Sequence, residues 1–263
     1  MGPKPGSRTV LITGGSSGIG VDLVKGFAAL GDKVWFTYNS GKQRADEVLS
    51  SLPNGSNAEA FQYDMGSWES VQGLLQKLPS TPDIFVANAG LGTATVEEYV
   101  QGHHLQSQAL MQANAVGPLW LTEGLLPGMK SRGSGNILFV ASVGGGITVF
   151  PGMRLADGMS KAAVACLARQ LAAETTHSGI TVCCICPGAT DTNMFQASSL
   201  NHLSPEERAA FIAGLPQGRL IPPREIAEQC IFLCSDAARS LHGAVIDASA
   251  GAGVRPGLVD KNH

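Results

Sequence analysis

Short apolar runs and amphipathic stretches alternate along the whole chain. Residues 8–13, RTVLIT, form a compact β-branched run of strand length, and a glycine-rich turn follows. Val21, Val24, Phe27 and Leu30 then recur at helical spacing. KVWFTY over 33–38 predicts a second strand, 42–52 a second helix, and AEAFQYD a third strand ending at Asp64. A helix over 67–78 and a strand in DIFVANAG, running into Gly90, come next. The pattern predicts one long helix over about 102–128, bent at Pro118. NILFVAS over 136–142 gives a fifth strand, and an alanine-rich helix spans 158–177. ITVCCICPG is a sixth strand stopped by Pro187. A polar, irregular segment covers 191–222 with a short helix near 205–213. A helix over 224–234 and a strand over 244–248 close the chain.

Repeated strand–helix units require right-handed crossovers and a parallel sheet covered on both faces. The expected fold is therefore α/β: a doubly wound, Rossmann-like sheet of about seven strands. No repeat, low-complexity tract or linker divides the 263 residues, so residues 1–263 read as one domain. Composition agrees, with 44% hydrophobic residues, 15% charged residues and 33 glycines. A net charge of −3 and the lack of a basic stripe argue against nucleic-acid binding. No apolar run approaches the ~20 residues of a membrane span. The opening MGPKPGSR has no secretory h-region, and Gly6 stands where a myristoylation signal needs Ser or Thr. The six cysteines read as reduced core residues of a cytoplasmic protein; those over 183–186 point to alternating faces of a strand. No histidine shows metal-ligand spacing, so no metal is expected.

The turn TGGSSGIG, Thr13 to Gly20, joins the first strand to the first helix. Gly14 permits a sharp turn, Gly18 a close approach to pyrophosphate, and Gly20 tight helix–strand packing. The helix N-terminus then offers N–H groups and partial positive charge to phosphates. Four further motifs follow in order: NAG (Asn88, Ala89, Gly90), Asn114 in the central helix, Ser142 ending the fifth strand, and SKAAV with Lys161. PGATDT, carrying Pro187, Gly188, Thr190 and Thr192, completes the set. Taken together they resemble the short-chain dehydrogenase/reductase family over nearly the whole chain.

The resemblance implies a nicotinamide dinucleotide cofactor. Gly14, Ser16, Ser17, Gly18, Ile19 and Gly20 would hold its phosphates, Asp64 and Met65 its adenine, and Asn88 to Gly90 the adenosine side. Lys161 would reach the nicotinamide ribose, and Pro187, Gly188, Thr190 and Thr192 would flank the nicotinamide. A helix N-cap is the alternative for Asp64, and a turn-forming role for Asn88. Tyr38, Asn39 and Ser40 end the second strand, where an acid would reject a 2′-phosphate. With no acid there, and Lys42 and Arg44 close behind, NADP(H) is favoured over NAD(H). Ser17 stands where many NADP-using relatives keep an arginine.

Family members carry Tyr-x-x-x-Lys, whose two side chains meet one helical turn apart. Four residues before Lys161 stands Asp157, in ADGMSKAAV. None of the three tyrosines, Tyr38, Tyr63 and Tyr99, maps near that place. A carboxyl starts near a pKa of about 3.9, and an adjacent lysine lowers it. Keeping it protonated at pH 7 would cost about 4 kcal/mol or more at ~1.36 kcal/mol per unit. Asp157 is thus a poor general acid and a plausible base, unless burial reverses the balance.

Three readings stay open. One is an NADP(H)-linked oxidoreductase acting on a small carbonyl, hydroxyl or imine metabolite. Its site would be Asn114–Ser142–Asp157–Lys161: Ser142 polarises the substrate oxygen and Asn114 holds a relay water. The second is a non-redox isomerase, lyase or cyclase with Asp157 as base. The third is a dinucleotide-binding protein without catalysis. Residues 143–156 and 193–203 would cover a mainly apolar small-molecule pocket, with Arg154 either an anion clamp or a solvated surface residue. The 191–222 segment reads as a lid. The resemblance also implies a homodimer or homotetramer, although the alanines of the SKAAV helix could equally pack on the sheet.

Overall fold

The computed structural model describes residues 6–254. Seven parallel strands form one sheet in the order β3-β2-β1-β4-β5-β6-β7. They are β1 (Thr9–Ile12), β2 (Lys33–Tyr38), β3 (Ala58–Gln62), β4 (Ile84–Ala87), β5 (Gly135–Val140), β6 (Ile180–Pro187) and β7 (Val245–Ala248). This is the doubly wound arrangement expected from the alternating pattern. The order reverses between β1 and β4, and such a switch point opens a crevice at the strands' C-terminal ends.

Period-two alternation along the strands feeds two cores. Val10, Ile12, Val34, Phe36, Cys183 and Ile185 face α1 (Ile19–Ala29), α2 (Lys42–Ser50) and α11 (Pro223–Leu233). Leu11, Trp35, Val182, Cys184 and Cys186 face α3 (Trp68–Lys77), α6 (Gly117–Arg132) and α8 (Leu155–Thr175). The cysteines of β6 thus divide between the faces as the alternation predicts. Ala165, Ala168 and Ala172 of α8 are buried in the second core, so these three alanines pack on the sheet.

The helices depart from the sequence pattern in four places. The segment read as one helix is α5 (His103–Met111), a π turn over Gln112–Val116, and α6. The break falls one turn before Pro118, because proline cannot donate to the carbonyl of Asn114. A short helix, α4 (Thr93–Tyr99), went unread in a stretch with little periodicity. The lysine helix starts at Leu155 rather than at Gly158, which places Asp157 in its first turn. The short turn α7 (Val143–Gly146) packs on the backbone of this helix start, where position 145 must be glycine: a Cβ there would stand 2.1 Å from the Gly158 carbonyl oxygen.

The 191–222 segment is largely helical rather than irregular. It holds α9 (Asn193–Phe195), a π turn over Gln196–Leu200, α10 (Pro205–Gly214) and a 3-10 turn over Pro216–Gly218. Ser204 and Glu207 form a capping box that starts α10. Gln196 donates to Asp191 and accepts from Arg208, and Phe195 meets Phe211 at 6.3 Å. These local ties order the segment.

Candidate functional site

The glycine turn is shaped by contacts that leave no room for side chains. Gly14 has φ +70°, and a Cβ there would lie 2.9 Å from the Ala89 Cα. A Cβ on Gly20 would lie 2.1 Å from the Gly14 carbonyl oxygen and 2.9 Å from Asn88 Nδ2. Gly18, at the N-cap of α1, has φ +52° and no side chain to bond the first-turn N–H groups. The Gly20 and Val21 N–H groups turn back to the carbonyls of Ser17 and Gly18, and the helix dipole adds partial positive charge at this end. Thr13 Oγ1 accepts from the Asn88 and Ala89 N–H groups, and Asn88 Nδ2 donates to the carbonyls of Thr13 and Gly14. The glycine turn and the NAG turn are thus one unit. Ser16 is buried, while Ser17 is exposed and Ile19 half-buried at the mouth.

The far motif closes the same crevice. Thr192 lies over Gly18, where a Cβ would come 3.1 Å from Thr192 Cγ2. Its hydroxyl accepts from Phe195 N–H and caps α9. Pro187 is buried at the end of β6, and Gly188 passes so close to Ser249 that a Cβ would meet its Cα at 2.8 Å. Thr190 is buried and donates to the Gly188 carbonyl.

Tyr38 is half-buried, and Asn39 and Ser40 are exposed at the end of β2. Of the two cations behind them, Lys42 is engaged with Asp46 at 2.7 Å. The Arg44 guanidinium instead folds back over Gly41, 2.4 Å from where a Cβ would stand. Asp64 does not cap α3; Ser67 does, accepting from Ser70 N–H. The exposed Asp64 carboxylate accepts from Gly66 N–H, and Met65 is half-buried with its carbonyl against Gly117.

Across the crevice, the geometry brings Asn114, Lys161 and Gly90 together. A Cβ on Gly90 would be 3.3 Å from Lys161 Nζ and 3.8 Å from Asn114 Oδ1. Asn114 is buried in the π turn and committed on both sides: Oδ1 accepts from Leu91 N–H at 2.6 Å, and Nδ2 donates to the Leu91 carbonyl and to Ser160 Oγ. Both Nδ2 hydrogens are thereby used, while Oδ1 keeps one lone pair beyond the bond from Leu91 N–H. Ser142 Oγ accepts from Gly144 N–H at 3.2 Å, which leaves the hydroxyl hydrogen available to donate. Ser160, which the sequence reading passed over, donates to the Asp157 carbonyl at 2.7 Å and ties Asn114 to the first turn of α8. Its signal was visible: a serine three residues after Asp157.

Asp157 and Lys161 lie one turn apart on α8, and burial dominates both. It raises the Asp157 carboxyl above the ordinary carboxylate range, with Lys161 and Arg154 pulling the other way more weakly. Burial also lowers the Lys161 ammonium, opposed by Asp157 and by the thiols of Cys184 and Cys186. The expectation that Lys161 would hold Asp157 below its usual value is thus reversed. Lys161 acts one turn away, whereas desolvation acts on the carboxyl itself.

Arg154 is neither solvated nor an open anion clamp. It pairs with Glu97 of α4 at 3.0 Å and donates to Gln106 Oε1 at 2.9 Å. The 191–222 segment packs down on the chain after the NAG turn: a Cβ on Gly92 would meet Met194 Cγ at 2.7 Å. Among the described residues, no three His, Cys, Asp or Glu side chains gather to hold a metal, and no helix is long and apolar enough to cross a membrane.

A family profile described as enoyl-(acyl carrier protein) reductase matches residues 14–253. The chain belongs to the short-chain dehydrogenase/reductase family. It is 32% identical to an uncharacterised oxidoreductase, YmfI, of Bacillus subtilis, over 93% of this chain and 98% of that one. An acetoacetyl-CoA reductase of Rhizobium meliloti is 31% identical with the same coverage. Among solved structures of this kind, a provisionally assigned NAD(P)-dependent gluconate 5-dehydrogenase of Beutenbergia cavernae, with NADP at low occupancy, superimposes with a TM-score of 0.80. It is 31% identical and covers 94% of this chain and 98% of its own. A variant of the actinorhodin polyketide ketoreductase with NADPH gives 0.81 at 26% identity, covering 96% and 99%. The fold and glycine turn of this family member fit a dinucleotide.

Proposed function

We propose that this chain is an NADP(H)-dependent oxidoreductase acting on a small carbonyl, hydroxyl or imine metabolite, with Asp157 in the place of the family's catalytic tyrosine. The observation that carries the reading is the convergence of Gly90, Asn114 and Lys161 beside a glycine turn with no room for side chains. The glycine turn, Asn88 to Gly90 and Thr192 would hold the cofactor, and reduced nicotinamide, when bound, supplies a hydride. Arg44, the cation at the end of β2 without an ion pair among the described residues, would meet a 2′-phosphate, while Lys42 is occupied by Asp46. Lys161 would hold the ribose hydroxyls. Ser142 would donate its hydroxyl hydrogen to the substrate, since Gly144 N–H already occupies one of its lone pairs. The Asn114 carbonyl, which Pro118 cannot bond, would hold a water. The chain would work in the cytoplasm as a homodimer or homotetramer.

A second reading, base catalysis by Asp157 in an isomerase, lyase or cyclase, draws on one observation. Burial raises the carboxyl toward the pH range in which a general base is most effective. A cofactor titration separates the two. NADPH fluorescence should show binding tighter than that of NADH, and Arg44→Gln should erase about a tenfold part of the preference, as for one charge-assisted contact. Failure of both dinucleotides to bind would end the redox reading and leave the base.

A further inference from the structure

The Asp157 carboxyl is half-buried, and among the described residues the hydrogen bonds of this residue run only through its backbone: its N–H to the Arg154 carbonyl, and its carbonyl from Ser160 Oγ. Of the two cations near it, Arg154 is held elsewhere and Lys161 points toward Gly90. Arg154 is taken by Glu97, Gln106 and the His103 carbonyl. Lys161 Nζ is aimed at Gly90 and Asn114. Among the described residues neither comes within the 4 Å of an ion pair with Asp157. Soft, apolar side chains line the neighbouring backbone at Gly158 and Gly144. Met153 Sδ lies 3.7 Å from a Cβ position on Gly158 and 2.6 Å from one on Gly144, with the Phe150 ring beside it. Met194 closes over Gly90 and Gly92 from the lid.

From this arrangement we infer that the substrate site receives an organic cation, an iminium ion or a protonated amine, whose charge is met by the Asp157 carboxylate. A half-buried carboxylate without a partner is costly, and a ligand that brings positive charge removes the cost. A neutral ketone does the opposite, setting oxygen lone pairs against the carboxylate where the family's phenol would donate. Thioethers and an aromatic ring accommodate a flat cation while excluding water.

The chemistry balances without a general acid. Reduction of an iminium carbon forms one C–H bond, breaks the C=N π bond and leaves that electron pair on nitrogen. The hydrogen and both electrons come from the reduced nicotinamide cofactor, so no proton has to be delivered. Ketone reduction leaves an alkoxide that needs one, which a carboxylate cannot give. This deepens the redox reading for its chemistry, but cation binding is measurable without turnover.

The test is isothermal titration with two probes of one bicyclic shape: N-methyldihydroisoquinolinium, a permanent cation, and α-tetralone, an uncharged ketone. Each is titrated into the full chain, with and without saturating NADP⁺. Wild type should bind the cation about tenfold or more tightly than the ketone. Asp157→Asn should bring that ratio close to one, and Asp157→Glu, which keeps the charge, should retain most of it. Equal binding of the two probes by wild type, or a preference that survives in Asp157→Asn, overturns the inference. Thermal unfolding of Asp157→Asn and the Asp157→Glu arm separate loss of charge from loss of fold. If NADPH fails to bind, the redox reading falls, while the titration without cofactor still decides the cation site.

Discussion

The glycine turn and the start of α8 face each other across one crevice and are built in opposite ways. At the turn, the tightest constraints on Gly20 and Gly14 are backbone atoms, the Gly14 carbonyl and the Ala89 Cα. Its side-chain bonds, from Asn88 and to Thr13, are neutral and satisfied. At the start of α8, ionisable groups are half-buried and burial opposes the charge of both Asp157 and Lys161. One side is a rigid mould, and the other holds electrostatic cost that a ligand can relieve. Shape is what mutation should break on the first side, and charge balance on the second.

The largest effect should come from Gly20→Ala. The new methyl would meet a backbone carbonyl that cannot move without opening the turn. Overpacking of this kind costs about 1–3 kcal/mol. At roughly 2–4 °C of Tm per kcal/mol, the loss is readable in a melting curve, and fluorescence titration should show NADPH binding abolished. Normal cofactor affinity in this variant would mean that the mould is not the cofactor site.

A smaller effect tests the charged side. Because folding raises the Asp157 pKa, the folded state holds that proton more tightly than the unfolded chain. Its stabilising contribution is present at low pH and is lost as pH rises through the raised value. Asp157→Asn, which cannot ionise, should therefore melt higher than wild type at pH 7 by a few degrees. The advantage should shrink toward zero near the ordinary carboxylate value of about 3.9. Lys161 and Arg154 are the cations whose attraction opposes burial at Asp157. A variant that melts lower than wild type at pH 7 would show that their attraction outweighs burial.

The smallest effect is a control for the first. Gly73 sits within α3 with nothing near its missing Cβ. Gly73→Ala should stabilise by about 0.5–1 kcal/mol through helix propensity alone and leave NADPH affinity unchanged. A loss of affinity there would mean that glycine substitutions act on this fold globally, and the contrast with Gly20 would lose its meaning.

Much of the fold and of the mould was legible in the chain because the information is local. Period-two alternation assigned Val10 and Ile12 to one core and Leu11 to the other, and TGGSSGIG between strand and helix located the phosphate turn. The spacing of Asp157 and Lys161 already placed both on one face of a helix. What the sequence left open depends on partners far away in the chain. Arg154 finds Glu97 across 57 residues, and Asn114 finds Leu91 across 23. The direction in which Asp157 titrates was decided the same way. Lys161 is a sequence neighbour whose influence can be read from spacing. The desolvation that outweighs it arises only when the folded chain packs around the start of α8 and buries the carboxyl.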